Sequence, residues 1–229
     1  MDNPLPKLIT FDGDARSGKG TIVSLVKDYL RDVDHRKVML IDAGQVFRVL
    51  VVMMTEDGVD LDDTMAIDAY LGDAHNQERG VRRVKEVYRM TKAERSALFY
   101  TPLIGVNSAK VGTRPLSQSF KDGLLRKWLR DARAEGFDTI LLDGRALTEV
   151  GDALESEGLC NHVLGLFFVC DPVVSAQRTL GLMPRPYIEL DDETKKRVDE
   201  LIEQIKTRNQ ADRERAIQPV VPPAGAPKY

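Results

Sequence analysis

The sequence predicts an α/β fold in which a parallel sheet is covered on both faces by helices. Three observations lead there: four short, near-continuous apolar runs each end in an acidic residue, helix-like stretches separate them, and a glycine-rich loop joins the first run to the first helix. Apolar runs without alternation are the pattern of strands buried on both sides, which in practice means parallel strands linked by helices.

The first run is Leu8-Ile9-Thr10-Phe11, closing in Asp12-Gly13. From Gly18 through about Val33 the pattern turns helical, with Ile22, Val23, Val26 and Leu30 on one face. Val38 to Ile41 is the second run and ends in Asp42; Thr139 to Leu142 is the third and ends in Asp143-Gly144-Arg145; Val163 to Val169 is the fourth and ends in Cys170-Asp171-Pro172. Between the second and third runs, Val46 to Met54 reads as helical, Thr64 to Leu71 is an equivocal continuation of it, and Glu78 to Arg95 is strongly charged, either a solvated helix face or part of a mobile substrate-binding module. A helix follows from Ser119 to about Glu135, with Leu124, Leu125, Trp128 and Leu129 at helical spacing and Gly136 as its stop. Ser175 to Leu180 is a short helix, and Asp192 to Arg215 is a polar one carrying Val198, Leu201, Ile202 and Ile205; the Pro-, Ala- and Gly-rich tail from Pro219 to Tyr229 reads as extended.

Length and composition narrow the function classes. A chain of 229 residues suits one full α/β domain, with 1–229 read as a single unit. Lys and Arg number 33 against 36 Asp and Glu, a formal charge of -3, so no global positive field recruits nucleic acid or an anionic membrane. Any anion must be held by a local cluster. Cys160 and Cys170 lack metal-ligand spacing, and the start MDNPLPK is too short and polar for a signal peptide. No stretch approaches the roughly 18 apolar residues of a membrane span. A cytoplasmic monomer is expected, without nucleic-acid or membrane partners; no apolar stripe stands apart from the core pattern to decide the oligomeric state.

The loop carries the chemistry. Gly13-Asp14-Ala15-Arg16-Ser17-Gly18-Lys19-Gly20-Thr21 lies between a strand and an amphipathic helix, the setting in which backbone N–H groups and a helix N-terminus cradle phosphates. Lys19 supplies a charge for the β and γ phosphates of ATP. Gly20 stands where a hydroxyl usually follows the lysine, so Thr21 carries the hydroxyl that would meet Mg2+. Asp143, at the end of the third run, either orients Mg2+, directly or through water, or caps a local turn. Arg145 sits two residues on, at the strand ends where open sheets bind ligands. Arg208, Asp212 and Arg215 fall on one helix face, as either a surface ion network or a mobile cluster that closes over phosphates.

Together these segments resemble the bacterial cytidylate kinase family of P-loop nucleoside monophosphate kinases. The matching residues are Ile9 to Gly13 with Ser17 to Thr21, Leu40-Ile41-Asp42-Ala43-Gly44 with Phe47-Arg48, Leu142 to Arg145, and Ile205-Lys206 through Arg208, Asp212, Arg213, Arg215-Ala216 and Pro219 to Pro222. The resemblance implies a five-stranded parallel core over 7–45 and 137–229, an acceptor-binding insert with its connecting helix over 46–136, and a short lid near 177–190. It implies ATP and Mg2+ as cofactors and a nucleoside monophosphate as acceptor. Arg48, Arg145 and Arg215 would hold the acceptor phosphate, Arg208 would reach between donor and acceptor, Asp212 would meet the sugar hydroxyls, and Arg178 of the lid would meet the donor.

The chain departs from the family in several places. The aspartate that follows Asp-Gly-Arg and helps read cytosine is Ala146 here, and the serine of the second-strand motif is Ala43. The base-contacting serine and arginine correspond to Ser117 and Arg126, or the serine to Ser108. The lid has only Arg178 and Arg185, and relatives continue into a last strand and helix where this chain stops at Tyr229. Loss of a base-reading carboxylate relaxes discrimination or moves it to another nucleotide. The expected activity is phosphorylation of a nucleoside monophosphate, CMP or dCMP first; a P-loop kinase for another small acceptor and a nucleotide-binding regulatory protein without kinase activity are the competing readings.

Overall fold

The computed structural model describes residues 3–223. In chain order the elements are β1 (Lys7–Gly13), α1 (Lys19–Asp32), β2 (Val38–Asp42), α2 (Ala43–Glu56), α3 (Thr64–Gly72), α4 (Ala74–Arg89), α5 (Lys92–Phe99), α6 (Pro102–Gly112), α7 (Pro115–Ala134), β3 (Thr139–Asp143), α8 (Thr148–Ser156), β4 (Asn161–Phe168), α9 (Pro172–Thr179), a single 3-10 turn at Tyr187–Glu189, and α10 (Asp192–Glu214). The chain forms two compact units, one of Met1–Ile41 with Gly136–Tyr229 and one of Asp42–Glu135. Residues 224–229 of the expected extended tail lie outside the described ones.

In the first unit the strands run in the order β2-β3-β1-β4, and β1 pairs in parallel with both neighbours, Phe11 opposite Asp143 on one side and Leu166 on the other. The four expected strands are thus one sheet, and where the resemblance implies five strands the described residues form four. Alternation along β1 sorts its side chains between two faces. Ile9 and Phe11 pack with Val23, Val26 and Leu30 of α1. Thr10 and Asp12 point to the side of α8, where Thr10 Oγ1 lies 3.1 Å from His162 Nε2 and Asp12 accepts from Leu147 N at 2.9 Å. A second apolar cluster joins α9 to α10 through Ala176, Val198, Leu201, Ile202 and Ile205. β4 differs from the expected fully covered strand: Val163 and Leu164 are about half exposed, at 52% and 46%, because β4 is an edge of the described sheet.

α8 was not expected from the sequence. Its segment contains Gly151, a poor helix former, and the glycine serves packing: a Cβ there would lie 2.7 Å from the His162 ring. Asp152 of the same helix stands 2.7 Å from His162 Nδ1.

The second unit is helical. The charged interval after Glu78 is two helices, because α4 ends at Arg89 and Thr91 starts α5 with a reciprocal capping box to Glu94. α7 begins at Pro115, four residues before the expected Ser119, since Pro at the first helical position sacrifices no hydrogen bond. Its end is as expected: Gly136 follows with φ 74. Trp128 meets Tyr88 edge-on at 5.8 Å. Among the described residues no helix is long and apolar enough to cross a membrane.

Candidate functional site

The glycine-rich loop leaves β1 through Gly13, whose φ of 139 belongs to glycine, and whose missing side chain lets the Phe168 backbone pass. Asp14 N donates to Phe168 O at 2.8 Å, which ties the loop to the end of β4. Arg16 at φ 58 and Gly18 at φ 90 complete the curl. Gly18 is the N-cap of α1 and offers no capping side chain, whereas α2, α3, α4, α5, α6, α9 and α10 are each capped by an Asp or Thr oxygen. A positive helix end without its own oxygen is suited to an anion. Arg178 reaches over this point from α9: a Cβ on Gly18 would lie 2.7 Å from its Nη1, and its Nη2 donates to Cys170 Sγ at 3.8 Å.

Lys19, the first residue of α1, forms an ion pair with Asp143 and donates to Gly144 O at 2.9 Å. The expected donor lysine and metal carboxylate are therefore partners. Thr21 lies in the first turn of α1, exposed, its N–H donating to Gly18 O at 3.0 Å. Beneath the loop, Asp12 is buried and accepts from Gly13 N at 2.7 Å and Leu147 N at 2.9 Å. Burial raises its pKa above the usual carboxylate value, against the two backbone donors and the nearby Lys19 and Arg145.

One carboxylate organises the arginines of this unit. Asp212 is ion-paired with Arg145, and it lies 3.9 Å from Arg215 Nη1 and 4.0 Å from Arg208 Nε. Arg215 stands just past α10, as its C-cap in extended conformation, and donates to Gln218 O. Burial lowers the pKa of its guanidinium, with the like charge of Arg145 adding and Asp212 opposing. Three guanidinium groups around one carboxylate leave a local excess of positive charge, in a chain whose net charge is -3. Such an excess can hold a dianionic phosphate.

Sequence reasoning missed the contacts that fasten this loop. Asn209 Oδ1 accepts from Ala15 N at 2.8 Å, and Arg213 Nη2 donates to Asp14 Oδ1 at 2.6 Å. The signal was present as two polar residues four apart on α10, but spacing alone did not name their partners.

In the second unit Arg48, on α2, donates to Phe99 O at 2.9 Å and lies 4.5 Å over the Tyr100 ring. Tyr100 in turn donates to Asp42 Oδ2 at 2.6 Å. Burial and the Asp42 charge raise the Tyr100 pKa. Ser117 is buried, its hydroxyl directed at the carbonyls of Val111 at 2.5 Å and Arg114 at 2.8 Å. Arg126 is half-buried on the same helix, and nine residues are about two and a half turns, so the two project from opposite sides of α7. Ser108, on α6, donates to Gly105 O at 2.9 Å.

No family model matches the chain. It is 27% identical over 224 residues to a protein named cytidylate kinase from Shewanella piezotolerans (strain WP3 / JCM 13877), covering 94% of this chain and 83% of that one. It is 25% identical over 224 residues to the cytidylate kinase of Marinomonas sp. (strain MWYL1), covering 96% and 86%. A third similar protein, the cytidylate kinase of Pediococcus pentosaceus (strain ATCC 25745 / CCUG 21536 / LMG 10740 / 183-1w), is 25% identical over 216 residues, covering 93% and 82%. Identities at this level over nearly the whole chain mark a distant relationship to these kinases.

Proposed function

We propose that this protein transfers the γ-phosphoryl group of ATP to a nucleoside 5'-monophosphate, with CMP or dCMP as the first acceptors, acting as a cytoplasmic monomer. The observation that carries the reading is the ring of Arg145, Arg208 and Arg215 about Asp212, in the same unit as a phosphate loop whose Lys19 is paired with Asp143. A single anion-binding loop needs no second cluster; a kinase with two phosphorylated substrates does.

The backbone from Gly13 to Thr21 would receive the triphosphate, with Lys19 on its β and γ oxygens and Arg178 covering it. Arg145 and Arg208 would neutralise the equatorial oxygens of the group in transfer. Arg215 would hold the acceptor phosphate and Asp212 its sugar hydroxyls. An oxygen of the acceptor phosphate attacks the γ phosphorus in line, the bond to the bridging β–γ oxygen breaks, and ADP leaves. The acceptor is already anionic, so alignment and charge suffice and no general base is required.

Mg2+, when bound, would supply charge neutralisation to the triphosphate. The Thr21 hydroxyl and the Asp143 carboxylate are hard oxygen donors that suit it. Among the described residues no group of three or more His, Cys, Asp or Glu side chains is arranged to hold a metal ion by itself.

A second reading, a kinase for a different small acceptor, draws on Ala146 and Ala43, which place no hydrogen-bonding side chain where the resembling family has one. The test is a panel of CMP, dCMP, UMP, AMP and GMP with ATP and Mg2+, following diphosphate formation. Turnover of a pyrimidine monophosphate is expected, falling at least about a hundredfold in Lys19→Ala. If every monophosphate stays unphosphorylated while Lys19→Ala abolishes ATP binding, the acceptor is another molecule. ATP binding with no transfer to any small acceptor would point to a regulatory protein.

A further inference from the structure

We propose that Arg213 and Asn209 of α10 position the donor loop, Arg213 by neutralising the Asp14 carboxylate and Asn209 by holding the Ala15 amide. This rests on the donor role of the loop proposed above.

A carboxylate is an unexpected occupant of a phosphate loop. Asp14 immediately follows Gly13, and its side chain is only 11% exposed, so water screens it poorly. Left alone, its charge would repel a bound triphosphate. Arg213 lies 2.6 Å away and cancels that charge. Four residues earlier on the same face of α10, Asn209 is buried at 7% exposure and accepts from Ala15 N at 2.8 Å. A neutral amide does there what a carboxylate could do only by adding a second negative charge.

The neighbouring face of α10, about 100° round the helix, carries Arg208 and Asp212. One helix thus fastens the donor loop and presents Arg208 to the group in transfer and Asp212 to the acceptor's sugar in the proposed scheme. Arg213 and Asn209 touch no reacting atom in this scheme; they act through the loop.

The test is equilibrium titration of ATP onto folded wild type, Arg213→Ala, Arg213→Lys, Asp14→Asn, Asn209→Ala and the double variant Asp14→Asn/Arg213→Ala, each checked by thermal melting, with steady-state kinetics alongside. Arg213→Ala should weaken ATP binding about tenfold, the order expected for a half-buried ion pair, and raise the KM for ATP while kcat at saturation changes little. Asn209→Ala should show the same split between KM and kcat. Arg213→Lys and the double variant should both bind within about threefold of wild type. Two results would overturn the inference while leaving the kinase reading intact: Arg213→Ala binding ATP as well as wild type does, or a double variant as weak as Arg213→Ala. If Arg213→Ala does not fold, Asp14→Asn decides: unchanged or tighter ATP binding supports charge compensation, and binding weakened more than threefold overturns it. Failure of folded wild type to bind ATP would instead sink the donor reading itself, and this inference with it.

Discussion

Ala146 has a left-handed backbone, φ 54, which costs an alanine about 1 kcal/mol and suits Asp, Asn or Gly better. The resemblance noted in the sequence would put an aspartate at this place, a residue that takes this backbone at lower cost than alanine. Ala146→Asp should fold at least as stably as wild type and shift acceptor preference toward cytosine nucleotides; an unchanged ratio of kcat/KM across the monophosphate panel would refute the base-reading role. Asp12 gives a pH signature. Its pKa is raised in the folded state, so the folded protein binds this proton more tightly than the unfolded chain does. As pH falls from neutrality through the raised folded value toward 3.8, wild type should therefore gain stability relative to Asp12→Asn, and lose that gain as pH rises. Chemical unfolding of both proteins at a series of pH values measures the difference. Cys160 is buried, and burial pushes its thiol up to about 11. Iodoacetamide at pH 8 should leave it unmodified in the folded protein and label it after unfolding, as read by mass spectrometry.

The elements were legible where local pattern decides them and obscure where long-range packing does. The apolar runs of β1, β2 and β3 and the periodic faces of α1, α7 and α10 come from residues near in sequence, and their boundaries shift by only a few positions. α8 escaped because its defining feature is a gap: Gly151 is small for the sake of the His162 ring, which arrives from β4. Gly151→Ala should cost about 1–3 kcal/mol by overpacking, and chemical denaturation would show it as a lower midpoint. The hold of α10 on the loop was invisible for a related reason. Its two bonds span 194 and 199 residues of sequence, beyond the reach of any spacing rule.

At the scale of the whole chain, two units arise because the long interval between β2 and β3, strands that neighbour each other in the sheet, forms a helical body of its own. The glycine-rich loop and the arginine cluster of the first unit were legible as residue types, because both stand out from the rest of an acidic chain. The i,i+4 and i,i+3 pairs of Arg208 and Arg215 with Asp212 could be read from helical spacing, but the pairing of Lys19 with Asp143 and of Arg145 with Asp212 could not, because those partners are brought together by the fold. In the second unit, the interval from Glu78 to Thr113, which holds none of the segments matched to the family, forms helices whose sequence carries packing and caps rather than a motif. If the first unit takes ATP, a nonhydrolysable analogue at about one hundred times its dissociation constant should stabilise the fold by about 2.7 kcal/mol, which is about 5–10 °C in melting midpoint for a chain of this size. Lys19→Ala should show no such shift.

If Lys19 takes the donor phosphates as proposed, its ion pair with Asp143 makes that recognition a competition. A phosphate does not find an idle cation; it must win the lysine from a carboxylate already in place. The affinity for ATP would then be a difference between two attachments, and an inorganic anion too weak to win that exchange would leave the loop as it stands. Discrimination against small anions would begin before any base or sugar is read.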